Sequence, residues 1–383
     1  MTKADRIAAP LLFIALGGLA LILSLTRPMH NWDMVPYVAA AKAFEENDPG
    51  RIHSFTYSRL RASVPPEEYA ALANPEGDDP DSVYRNIIAS DPAALSQQLP
   101  LFQIRPLYTG AIYIMYRSGI NIYLATHLIP GISVLAGMIL LYIISALTLP
   151  RYFLYLVPAG AAVAGVLDLA KYSTPDGIAL LMVILSGYLL LSRRIIPLLI
   201  ILPVMIAART DLIIFVLPLC TLLLAGGTAG KIKVCASALA SILILLVINN
   251  YYSNPGWGST FHTEFIRVNP YPLTSDTSLS AREYLEVLIR ESGRLLPNKK
   301  FLLYLPAATL SLYLFLKRMG RQALAAPVPV TAITCLVYVV AHYLLFPDAH
   351  ERFFAAQYLL GGVALLRAVK LTYISRTWNG KGE

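Results

Sequence analysis

Residues 195–226 read IIPLLIILPVMIAARTDLIIFVLPLCTLLLAG. Two apolar runs, 195–208 and 211–226, flank one polar turn, Arg209-Thr210-Asp211. Apolar runs of this kind are the direct signature of segments that cross a membrane, and charges at their junction are costly enough to require a reason. Working outward along the chain, comparable runs occupy 8–26, 121–147, 153–167, 176–192, 232–249, 300–316, 327–346 and 353–369, giving ten candidate spans. A span needs about 20 apolar residues, so 153–167 and 195–208 are short and are expected to extend further or to be broken within the bundle. The expected fold is an all-α polytopic bundle, one domain over 1–383.

Composition agrees. Of 383 residues 56% are hydrophobic and 14% charged, where a soluble protein is about a quarter charged. The mean hydropathy is +0.59. A disordered chain, a nucleic-acid module and a typical cytosolic enzyme are excluded. Cys220, Cys235 and Cys335 all lie within apolar runs and read as small buried hydrophobes. The first run follows Lys3 and Arg6 and precedes Arg27-Pro28-Met29-His30, with no small-residue cleavage site, so it is expected to be retained.

The net charge of +8 becomes informative once divided by topology. With the N-terminus in the cytoplasm, the inner pieces hold Lys3, Arg6, Arg151, Arg193, Arg194, Lys231, Lys233, Lys317, Arg318, Arg321, Arg367, Lys370, Arg376 and Lys381, against only Asp5 and Glu383. That side carries +12 and the other −4, in accord with the positive-inside rule. Both termini are then cytoplasmic, and no nucleic-acid partner is needed to explain the excess. Two long segments fall outside. Segment 27–120 contains helical-looking pieces at 35–47, 66–74 and 81–89 and an amphipathic stretch Arg105 to Arg117. Segment 250–298 contains a helix expected from Ala281 to Leu295.

Charges near membrane depth collect at the outer ends of the spans: Asp33, Asp168, Lys171, Asp176, Arg209, Asp211, Asp348, His350, Glu351 and Arg352. Each has a structural reading as well. Asp33 with Pro36 can start a helix, Thr174-Pro175-Asp176 can cap span four, Asp211 suits a helix N-terminus, and Arg352 can anchor at headgroups. Their convergence on one face implies a polar site there. His350 and Glu351 lack a ligand-spaced partner, and no metal motif, phosphate loop or nucleophile elbow is present.

Four of these features resemble the GT-C superfamily of integral-membrane glycosyltransferases, which use polyprenyl- or dolichyl-phosphate sugars. Asp33 follows the first span at the start of a long outer loop. Arg105-Pro106-Leu107 opens an amphipathic helix before the second span. Arg209-Thr210-Asp211 fills a short outer turn, and Glu351-Arg352-Phe353-Phe354 opens the last span. Many members carry two adjacent acids in the first loop, whereas Asp33 lies between Trp32 and Met34, and the Trp-Trp-Asp-Tyr-Gly element of oligosaccharyltransferases is absent. The resemblance implies transfer of one sugar from a lipid monophosphate to a cell-envelope glycan, lipid or protein, outside a bacterial inner or plasma membrane, with inversion. Asp33 would be the general base, and Arg352, Arg209, Lys171 and Arg105 the candidates for the donor phosphate. Trp32, Tyr37, Trp257 and His262, with Asp168, Asp176, Asp211, His350 and Glu351, are the candidates for sugar and acceptor. Cationic side chains can serve a leaving monophosphate, so no cofactor or obligatory metal is expected. A transporter or flippase of a lipid-linked sugar or other anion, and a membrane acyltransferase with His30, His262 or His350 as base, remain as alternatives.

Overall fold

A chain in lipid must satisfy its own backbone N–H and C=O groups, which leaves helices as the solution for the apolar runs. The computed structural model describes residues 3–227, 230–275, 277–295 and 298–379, so Lys381 and Glu383 of the charge tally lie outside the described residues. In chain order the helices are α1 (Lys3–Thr26), α2 (Met34–Lys42), α3 (Pro49–Ser63), α4 (Pro66–Ala73), α5 (Pro80–Ser90), α6 (Pro92–Gln103) and α7 (Pro106–Arg117). There follow α8 (Ile122–Thr148), α9 (Arg151–Leu154), α10 (Leu156–Val163), α11 (Val166–Lys171), α12 (Asp176–Leu191), α13 (Ile195–Ala208) and α14 (Ile213–Ala225). The last are α15 (Lys231–Tyr251), α16 (Trp257–Phe265), α17 (Ala281–Gly293), α18 (Lys299–Met319), α19 (Pro327–Leu345) and α20 (Ala355–Asn379). Among the described residues there is no β-strand, only an isolated bridge between Met29 and Tyr172.

Among the described residues five helices are long and apolar enough to cross a membrane: Ile7–Thr26, Ile122–Thr148, Lys231–Tyr251, Lys299–Met319 and Pro327–Leu345. Ile7–Thr26 has a mean hydropathy of 2.4, yet only 28% of it is buried in the protein. So much exposed apolar surface requires lipid around it, and the chain is an integral membrane protein. Of the remaining apolar runs, 176–192, 195–208 and 211–226 form shorter helices, and 353–369 opens the 25-residue α20. The run expected over 153–167 is divided among α9, α10 and α11, and Gly165 at φ +84° makes the last break, a conformation that glycine adopts without strain.

Prolines interrupt these helices, and the structure repairs the damage. A helical proline frees the carbonyl four residues earlier. Pro130 in α8 frees Thr126, whose carbonyl accepts from the Tyr108 hydroxyl at 2.8 Å. Pro203 in α13 frees Leu199, whose carbonyl accepts from Ser237 Oγ of α15 at 2.7 Å. The repairs also fix packing: the first docks α7 on α8, the second α13 on α15.

Helices α2 to α7 form a layer across one end of the bundle with an apolar core of its own, including Met34, Val38, Leu60, Ile88, Leu95 and Ile112. Asp48, Asp79 and Asp91 cap α3, α5 and α6 by accepting backbone N–H groups, each just before a proline at the first helical position. The end of the bundle beneath this layer is called the polar end below.

Tyr108 is fully buried. Tyr108→Phe is expected to leave the Thr126 carbonyl without its partner and to cost about 1–3 kcal/mol. SDS-titration unfolding of the detergent-purified protein reads this, with the exposed Tyr152→Phe as an unaffected control.

Candidate functional site

The polar end is assembled by the chain leaving α1. Met29 N–H donates to the Lys171 carbonyl at 3.1 Å, and Ser173 N–H donates to Asn31 Oδ1 at 2.9 Å. His127 Nδ1 lies 3.0 Å from the same Lys171 carbonyl. These contacts clamp 29–31 onto 171–173 and set Asp33, at the start of α2, over the N-terminus of α12.

Arg352, in the turn before α20, reaches across. Its Nη1 donates to Asp33 Oδ2 at 3.1 Å, and its Nε lies 3.8 Å from Asp176 Oδ2. The guanidinium stacks on Phe353 at 4.9 Å and Tyr172 at 5.9 Å. Burial opposes its charge, but Asp33 and Asp176 outweigh that and hold its pKa above the ordinary guanidinium value. The Nε is buried and has no hydrogen-bond partner.

Behind this pair, Arg209 is buried and fully committed. It grips Asp211 with Nε at 2.9 Å and Nη2 at 2.7 Å, and donates from Nη1 to Asp176. Asp211 also accepts from the Tyr338 hydroxyl at 2.9 Å and lies 3.3 Å from His342 Nε2. Asp176 accepts from Thr174 Oγ1 at 2.7 Å. Arg209 and Asp176 are both buried, so their charges need this mutual neutralisation.

A cavity of about 320 Å³ opens beside Arg352, walled by Gly165, Asp168, Tyr172, Asn298, His350 and Glu351. Lys171 pairs with Asp168 at 2.8 Å, and Lys300 pairs with Glu351. Arg352 lines this cavity directly, and Lys171 and Lys300 pair with two of its wall residues, Asp168 and Glu351. His350 accepts the Arg352 N–H on Nδ1 at 3.3 Å. Burial, then Arg352, lowers its pKa, which favours the neutral imidazole that this bond needs. No three His, Cys, Asp or Glu side chains among the described residues group as a metal site.

Other residues singled out in the sequence lie apart from this cavity. Arg105 stacks on Tyr37 at 5.8 Å and on Phe102, and donates to the Leu101 carbonyl at 2.6 Å, inside the α2–α7 layer. Tyr37 is buried there between Phe102 and Tyr108. Trp32 packs on Tyr84 at 5.0 Å with its Nε1 lacking a partner. Trp257 donates to the Leu345 carbonyl at 2.7 Å and fastens α16 to α19. His262, also on α16, has an unpartnered Nδ1.

Lys300 is a residue that the sequence reading left out. Its signal was an Asn298-Lys299-Lys300 start to a span otherwise apolar. Compared with models of known protein families, with curated protein sequences and with solved structures, the chain matches none. Function must therefore be argued from the site.

Removing Arg209 leaves two carboxylates uncompensated, so Arg209→Ala is expected to cost about 3–5 kcal/mol. Arg352→Ala, at a partly exposed pair, is expected to cost about 1 kcal/mol or less. Unfolding titrations of the two variants check the order; an equal loss would contradict it.

Proposed function

We propose that this protein is a membrane glycosyltransferase that moves a single sugar from a polyprenyl-phosphate donor to an acceptor hydroxyl at the polar end of its bundle. The supporting observation is the Asp33–Arg352 pair at the edge of a cavity whose wall residues Asp168 and Glu351 pair with Lys171 and Lys300. A base and a set of phosphate-binding cations are the two things that glycosyl transfer asks of a protein.

In this reading the acceptor O–H gives its proton to Asp33. The acceptor oxygen forms a bond to the anomeric carbon, and the bond from that carbon to the phosphate oxygen breaks on the opposite face, with inversion. The phosphate leaves with the electron pair. Arg352 offers guanidinium N–H groups to the leaving oxygen, and Lys171 and Lys300 can turn from Asp168 and Glu351 to the phosphate. Arg209, each of whose three guanidinium nitrogens already donates to a carboxylate, serves by holding Asp176 and Asp211 in place. Trp32, beside Asp33 and backed by Tyr84, supplies an aromatic face for a sugar ring.

The reading includes ten crossings, with α12, α13 and α14 as short spans and α9 to α11 together as a broken one. Both termini are then cytoplasmic and the polar end extracytoplasmic, as the basic residues of the short loops favour.

Purified protein is to be supplied with a panel of undecaprenyl-phosphate hexoses and pentoses radiolabelled in the sugar, with cell-envelope lipid and glycan extracts as acceptors. Label is expected to leave the prenyl carrier with at least one donor. Asp33→Asn is expected to lower kcat about 100-fold or more. Arg352→Ala is expected to raise the donor Kd about tenfold or more. Turnover of Asp33→Asn near wild type would remove the base. Label crossing the membrane still attached to its carrier would favour a flippase.

A further inference from the structure

Helix α16 bridges two parts of the polar end. Asn254, just before it, donates to the Pro100 carbonyl at 3.0 Å, and Gln98 donates to the carbonyls of Asn269 and Pro270, just after it, at 3.1 and 3.0 Å. These bonds tie it to the α2–α7 layer, and Trp257 ties it to the end of α19. Helix α17 follows and presents distinct sectors around its axis. One sector meets the bundle. Val287 is buried there and Leu288 packs on the main core. The Tyr284 hydroxyl donates to the Leu344 carbonyl at 2.5 Å, and Ser292 Oγ lies 3.4 Å from the Tyr343 hydroxyl. These positions recur at the spacing of a single helix face. Another sector is charged: Arg282 pairs with Glu286 at 2.8 Å, and Arg290 donates to the Phe265 carbonyl at 2.7 Å. Between the two sectors lie Leu285 and Ile289, one turn apart and 53% and 73% exposed. A helix surrounded by protein and water turns such residues to the core; α17 turns them outward.

The same contacts fix its direction. Tyr284 and Ser292 are about 12 Å apart along α17, yet their partners Leu344 and Tyr343 are adjacent in α19. Helix α17 therefore crosses the end of α19 instead of running beside it. Since α19 is long and apolar enough to cross a membrane, α17 lies along the membrane surface. Its depth follows as well. The Leu344 and Leu345 carbonyls belong to the last turn of α19, where no partner exists within the helix, and the Tyr284 hydroxyl and Trp257 Nε1 supply the missing hydrogen bonds. The two rings lie 6.1 Å apart, and the exposed Tyr251 ends α15. Amphipathic rings at the ends of spans mark the headgroup level.

We propose that α17 is a membrane-surface helix whose Leu285 and Ile289 seat in lipid, at the boundary between headgroups and acyl chains of the leaflet at the polar end. Lipid is the occupant because the pair continues a surface that lipid covers. Val337, Val340 and Leu344 form an exposed apolar stripe along α19, and α17 crosses it at Leu344. A stable protein interface buries about 800 Å² per partner, far more than Leu285 and Ile289 offer. The inference uses the membrane assignment alone and stands apart from the sugar-transfer reading. It bears on the cavity beside Arg352, because α17 leads into Asn298, which lines that cavity, and Lys300, which pairs with its wall residue Glu351. A seated α17 holds that wall at headgroup height, where lipid phosphates lie.

The test places spin labels on α17 of the full chain. Cys235→Ser removes the exposed native thiol, and Cys220 and Cys335 are buried. In that background Ile289→Cys and Glu286→Cys are labelled with a nitroxide and reconstituted in nanodiscs of phosphatidylethanolamine and phosphatidylglycerol. Power-saturation electron paramagnetic resonance then compares oxygen, a lipid-soluble relaxant, with a nickel chelate that stays in water. The Ile289 label is expected to favour oxygen, at a depth about 5–10 Å inside the headgroup boundary. The Glu286 label is expected to favour nickel. A water-like signal at Ile289, or the same signal from both labels, would overturn the proposal. Shielding of the Ile289 label from both relaxants would overturn it too, in favour of a second copy or another protein on this face.

Discussion

Asp33 and Arg352 are 319 residues apart in the chain and 3.1 Å apart in space. That contact joins the segment leaving the first membrane helix to the turn entering the last one. The rest of the polar end is arranged around it. Asp176 lies between the Arg352 and Arg209 guanidiniums, and Arg209 passes the charge on to Asp211, Tyr338 and His342. Ion pairs of this kind contribute little net stability when desolvation is counted, yet losing one member is expensive. Their value here is specificity, since few other registers of α1, α12, α13, α19 and α20 would neutralise every one of these groups.

The same arrangement separates holding from reacting. Each guanidinium nitrogen of Arg209 already donates to a carboxylate, and the group is shut behind Phe353, 5.0 Å away. Arg352 makes one hydrogen bond to a carboxylate and lines a cavity. Lys171 and Lys300 pair with wall residues of that cavity, single carboxylate partners that an incoming phosphate can replace. Burial around Arg209 and Asp176 lowers the local dielectric and strengthens their interactions. The α2–α7 layer, welded to α8 through Tyr108, and the α16 bridge close the site from above.

The membrane runs were legible because lipid demands long apolar stretches, and most helix limits fall within a few residues of the runs. Clustering of Asp33, Asp176, Arg209, Asp211 and Arg352 was also legible, since all five occupy ends of runs on one side of the membrane. Which acid meets which base was not, because pairing depends on packing between helices distant in sequence. Helices α3 and α6 lacked an apolar run, although Asp48-Pro49 and Asp91-Pro92 carry the same start signal as Asp79-Pro80. Tyr37 reads as a candidate for the sugar by its place after Asp33, but the helix turns it into the α2–α7 core.

The central claim is that a lipid-linked phosphate binds on the Arg352 side of Asp33. The most direct measurement is a cryo-electron microscopy structure of the protein in nanodiscs with undecaprenyl phosphate. The account predicts phosphate density within hydrogen-bond distance of Arg352 in the cavity walled by Asp168, Tyr172, His350 and Glu351, with the prenyl chain descending between helices. Phosphate bound at the opposite end of the bundle, or a cavity that stays empty at saturating lipid, would contradict it.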